Sequence, residues 1–237
     1  ENGAFEGTGA TILEEAIANS QFLPVGEQHG IREIGEFTKV LFEQASKKGF
    51  QYMAIETDPF TAAKVEELGN GTMEEAKAHL QKFPWTIPFY DNNEDFEFLK
   101  GVVSSSEAKP TFWGLDQSFV AGTRYLFSEL MELADNDEAQ AVAAEYFKKA
   151  NEAFGEAMQN MNPNKIYLIV MEEADFEKLS QTFCGEADSK ACEIVQEIKK
   201  SREIYQHWYD GRYLENNSER ADLMKQHFMS YYRNAQA

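Results

Sequence analysis

Phe22-Leu23-Pro24-Val25-Gly26-Glu27-Gln28-His29 is a short apolar run that ends, after one glycine, in a carboxylate and an imidazole. Two later stretches have the same form, Met53-Ala54-Ile55-Glu56-Thr57-Asp58 and Phe112-Trp113-Gly114-Leu115-Asp116-Gln117. Apolar runs of this length bounded by turn residues read as buried strands. Between the first two, Ile31, Ile34, Phe37, Val40, Leu41 and Ala45 recur at helical spacing, and Gly49 follows as a stop. Pro59 suits the first position of the next helix, and helical patterns continue over 62–68, 73–82 and 94–103. Strands alternating with helices predict an α/β fold with a mostly parallel sheet flanked by helices.

After Gly122 the pattern becomes helical, over 123–133, 138–161, 173–183, 192–209 and 218–232. Ile166-Tyr167-Leu168-Ile169-Val170-Met171 suits either a strand or a buried helix, and its β-branched content favours a strand. With no linker rich in Pro, Gly and Ser, the reading is one domain over 1–237. Residues 1–120 form its α/β core, and 121–237 form a large helix-rich insertion and a return helix.

The chain has 237 residues, 41 acidic against 22 basic, and a formal net charge of −19. That field repels phosphate backbones and anionic lipid, so nucleic-acid partners are disfavoured. No run approaches the roughly 18 apolar residues of a membrane span. Cys184 and Cys192 are the only cysteines. Their even number and short polar loop suit a disulfide as well as two unpaired thiols, and a bond would place the chain outside the cytosol, periplasmic or secreted. The start at Glu1 without Met is compatible with removal of an export signal.

The chemistry gathers at the predicted strand ends. Residues two apart in an extended segment point the same way, which puts Glu27 and His29 on one face. Open parallel sheets bind ligands beyond the carboxyl ends of their strands, the edge to which Glu27, His29, Glu56 and Asp116 would be delivered. An imidazole among carboxylates serves as a general base; the same four side chains are also candidate ligands for a divalent metal. Arg220 opens a late helix behind a polar run, where it would pair with the acidic cluster, meet a substrate oxyanion, or lie at the surface. His79, His207 and His227 read as structural or solvated. No phosphate-binding glycine loop and no nucleophile elbow is present, which disfavours a covalent serine or cysteine hydrolase.

Gly26-Glu27-Gln28-His29-Gly30, the helix after it, and the strand ending at Glu56 together resemble the erythromycin-esterase-like family. Gly114-Leu115-Asp116 resembles that family's Gly-x-Asp, and Arg220-x-x-x-Met224 its late Arg-x-x-x-Met helix. The Gly-x-x-His element is also similar to one shared with Tiki-type metalloproteases and a haem-binding iron-uptake protein. The resemblance implies hydrolysis of an ester or lactone in a small-molecule substrate with no required cofactor. His29 would activate water, Glu27 and Glu56 would orient it, and Arg220 would stabilise charge on the substrate. The alternatives it implies are a haem- or metal-binding module without turnover, or an inactive shortened relative. Family members continue past the last helix into another strand and a second histidine element. A chain stopping at Ala237 would therefore leave the sheet and its cleft open on that side.

Overall fold

The computed structural model describes residues 5–26, 31–90, 92–185 and 189–236. Helix takes 70% and strand 3%, so the fold is mainly helical and the α/β expectation is corrected. The helices are α1 (Ala10–Asn19), α2 (Arg32–Ser46), α3 (Pro59–Asn70), α4 (Met73–Lys82), α5 (Asn93–Ser105), α6 (Thr123–Leu133), α7 (Asp137–Gln159), α8 (Tyr167–Val170), α9 (Glu173–Phe183), α10 (Lys190–Tyr209) and α11 (Tyr213–Gln236). A 3-10 turn spans Pro163–Lys165. Two strands, β1 (Met53–Ile55) and β2 (Phe112–Gly114), pair in parallel with Met53 opposite Phe112 and Ile55 opposite Gly114.

Local chemistry starts these helices. Asp58 accepts from the amides of Phe60 and Thr61 in front of Pro59, the first residue of α3. Thr72 with Glu75 and Asn92 with Asp95 form capping boxes that open α4 and α5. Asn136 and Ser189 cap α7 and α10.

Two predicted strands do not form. Residues 21–26 run without a ladder partner, and Phe22 and Val25 stay 51% and 42% exposed. Pro24 removes one ladder donor, and the Phe22 ring packs on Phe228 and Tyr232 of α11 at 5.6 and 5.9 Å. Ile166–Met171 forms the single turn of α8, with Ile166, Tyr167, Leu168 and Met171 buried. A six-residue apolar run enclosed by helices satisfies its backbone internally, whereas a strand there would need a partner ladder.

The apolar interior divides between the two halves of the chain. One cluster joins Phe127, Leu130, Tyr146, Leu168, Leu179 and Ile198 among α6 to α10. Another joins Phe42, Val65, Leu99, Val102 and Phe112 around the two strands. The parallel pair is thus the centre of the first half, with α3 packed across it. Gly114 is where that contact is tightest, because a Cβ there would collide with the Asp58 carbonyl and the Ala62 side chain. Among the described residues no helix is long and apolar enough to cross a membrane.

Cys184 and Cys192 are disulfide-bonded, tying the end of α9 to the start of α10. Thiol titration of denatured, non-reduced protein should therefore find no free thiol, and two should appear after reduction. Gly114→Ala should lower stability by about 1–3 kcal/mol through overpacking. A lower urea midpoint with an unchanged denaturant slope would show it.

Candidate functional site

The β1 and β2 exits lie side by side, and Glu56 and Asp116 each follow one of them. Asp116 is fastened from behind, its amide donating to the Thr57 carbonyl at 2.9 Å, and its side chain is 7% exposed. Glu56 is the outer partner at 43%. Arg220 of α11 lies across both, its Nε donating to Asp116 Oδ1 at 2.8 Å and its Nη2 to Glu56 Oε1 at 2.6 Å. A further short contact joins Nη2 to Asp116 Oδ2. The Asp116 fork is therefore a two-point grip on a planar guanidinium, which a lysine would not reproduce. The hydrogen bond to Asp116 and its charge outweigh burial and hold the Arg220 pKa above its usual value.

A second polar group lies deeper. Glu197 of α10 is 6% exposed and accepts from the Ser118 amide at 3.2 Å and from Ser201 Oγ at 3.1 Å. His227, two helical turns beyond Arg220 on α11, places Nε2 3.3 Å from Glu197 Oε2 and Nδ1 2.9 Å from the Leu115 carbonyl. Burial lowers the His227 pKa, but the hydrogen bond and charge of Glu197, the Leu115 carbonyl and Asp58 together raise it above the ordinary value. Asp58 is wholly buried. Burial, with the charge of Glu197, pushes its carboxyl up to about 6, against the bonds it accepts from Thr61 and Phe60.

The structure thus brings together Glu56, Asp116 and Arg220 of the residues singled out in the sequence. Glu27 and His29, the other two, lie outside the described residues. Among the described residues no group of three or more His, Cys, Asp or Glu is arranged to hold a metal ion. Sequence reasoning missed Asp58 and Glu197, and read His227 as structural or solvated. Two of the three left a signal. Glu197 sits in the buried stripe Ile194, Ile198, Ser201 and Ile204, where a charge requires a partner. His227 lies seven residues from Arg220 and so shares its helix face. His79 and His207 make other contacts. His79 packs on the Phe83 and Tyr125 rings and His207 pairs with Glu219 at 2.8 Å.

The raised Asp58 pKa has a defined effect on stability. The folded state holds that proton more tightly than the unfolded chain, so the contribution is present at low pH. It is lost as pH rises from the ordinary value of 3.8 through about 6. Asp58→Asn should flatten the part of the stability profile between pH 5 and 7 relative to wild type, measured by urea unfolding above the pI of 4.6. Parallel profiles for the two proteins would contradict this account of Asp58.

Set beside protein-family models, curated proteins and solved structures, the chain matches none of them.

Proposed function

We propose that this chain hydrolyses an ester or lactone bond in a small molecule at the carboxyl ends of β1 and β2, with water activated by His29. The observation that supports this most is the hold on Arg220. Buried Asp116 grips Nε and Nη2 from below, while the outer contact is to half-exposed Glu56. A guanidinium has five N–H donors, and the two on Nη1 have no partner among the described residues. A cation held in place by one carboxylate, with spare donors beside an exposed one, suits an oxygen that gains charge during reaction.

In this reading, His29 removes a proton from water as the water oxygen attacks the acyl carbon. The carbonyl oxygen becomes anionic and is stabilised by Arg220. Collapse of the tetrahedral intermediate breaks the bond to the alkoxy oxygen, and the His29 imidazolium returns its proton there. Glu27 and Glu56 keep the imidazole oriented and favour its charged form. No covalent intermediate and no metal enters these steps.

The test is a comparison of wild type, His29→Ala and Arg220→Gln on a panel of chromogenic esters and lactones. Loss of a general base lowers rate by about 10²–10⁴-fold, and His29→Ala should show a loss in that range with KM little changed. Arg220→Gln should lower kcat and kcat/KM together. Wild-type turnover equal to that of His29→Ala across the panel would rule out this mechanism.

A further inference from the structure

Arg220 and His227 share the face of α11 that lies over the strand exits, and the two anchor it by different chemistry. Arg220 keeps its charge at any physiological pH. His227 does not, and both of its ring nitrogens face acceptors, the Leu115 carbonyl and the Glu197 carboxylate. A neutral imidazole has one N–H and satisfies one of them. The contact is complete only while the His227–Glu197 pair holds a second proton.

We propose that α11 is a pH-released strap, closed over the exits of β1 and β2 while the His227–Glu197 pair holds that second proton and swinging away about Gly211 when it is lost. Three features of the helix fit this. Of its residues only Asn216 and Leu223 are buried, so beyond the ring contacts of Phe228, Tyr231 and Tyr232 little apolar surface holds it down. It joins α10 through a turn whose Gly211 has φ +74°, a left-handed conformation in which glycine is unstrained and can serve as a hinge. Near that hinge Asn216 donates to the Ile204 carbonyl at 2.7 Å and Glu219 pairs with Lys200 and His207, contacts that hold the pivot end of α11 against α10.

The charges around His227 set the direction. Glu197 faces it from α10, and Asp58 from the turn before α3. Arg220 and Tyr231 lie on α11 itself, and Asp116 on the β2 exit holds Arg220. Loss of the proton leaves Glu197 and Asp58 close together with no cation between them, and an uncompensated buried carboxylate is strongly unfavourable. The folded His227 pKa is raised, so its contribution to docking is complete below the unfolded value of 6.5 and disappears as pH rises through the folded one. Opening also carries Arg220 away from Glu56 and Asp116. The inference does not rest on the hydrolysis proposed above, but opening would dismantle the Arg220 arrangement which that reading uses.

Trp113 of β2 reports the closed state. It is 6% exposed, stacked on Tyr231 at 5.5 Å and edge-on to Phe228 at 5.9 Å, both on α11. The other tryptophans, Trp85 and Trp208, are exposed and can be replaced by phenylalanine to isolate its signal. In that background the Trp113 emission should move reversibly to longer wavelength between pH 6 and 9, and hydrogen exchange corrected for intrinsic rate should lose protection within α11. His227→Gln should abolish the transition. Glu197→Gln, which keeps the histidine, should move its midpoint down by about 1 pH unit or more, as expected for loss of a neighbouring opposite charge. Far-UV circular dichroism on both variants separates release from unfolding. A flat Trp113 signal in the parent up to pH 9, or an unaltered midpoint in a folded Glu197→Gln or His227→Gln protein, would overturn the proposal.

Discussion

The contact between α11 and the two strand exits is where the halves of the sequence meet chemically. Glu56 and Asp116 come from the first 120 residues, and Arg220, the cation that answers both, comes from the last 20 or so, as does His227, which reaches the Leu115 carbonyl from the same helix. Without Arg220, a chain of net charge −19 would leave two carboxylates adjacent on neighbouring strands. Without His227, Glu197 would be a buried charge supported only by a backbone amide and a hydroxyl. A buried pair of this kind adds less to stability than its Coulomb attraction suggests, because desolvation opposes it, but breaking it from one side is costly. Its structural effect is to fix the height and rotation of α11.

The same arrangement orders the candidate site by depth. Asp116 is buried and gripped from the Thr57 carbonyl, so it acts as the fixed point. Glu56, one strand over and half exposed, is the partner free to exchange. Beneath them Asp58 turns its carboxylate away from the edge to cap α3, and Gly114 lets the Asp58 carbonyl approach β2. One short stretch, Glu56-Thr57-Asp58, therefore supplies an outer acid and an inner cap from residues two apart. Both positions follow from strand geometry and then from the start of a helix.

Much of the chain's local structure was legible. The helical periods predicted α4, α6 and α9 to the residue, and α3, α5 and α10 to within a few. Capping side chains mark the starts of α4, α5 and α10, and Asp58 with Pro59 that of α3, and such signals act within a single turn. The strand ends at Glu56 and Asp116 were legible for a related reason, since each apolar run stops at a charge that cannot remain in a core. The failures were runs whose fate depends on a partner elsewhere. Phe22–Val25 and Ile166–Met171 carry the apolar content of strands, yet one lies extended against aromatic rings of α11 and the other closes into a helical turn.

By itself, then, the sequence determined the helices and their caps, the two short strands, the acidic surface and the carboxylates that end each strand. These depend on side chains within a few residues of one another. Only the tertiary structure decided that the sheet stops at two strands and that Cys184 is bonded to Cys192. It likewise decided that Arg220 is shared between Glu56 and Asp116, and that Glu197 and His227 form a buried pair. Those outcomes depend on groups up to 164 residues apart. Whether a charge 30 or more residues from its partner lies in water or in a pair depends on how helices pack, and no local period records it.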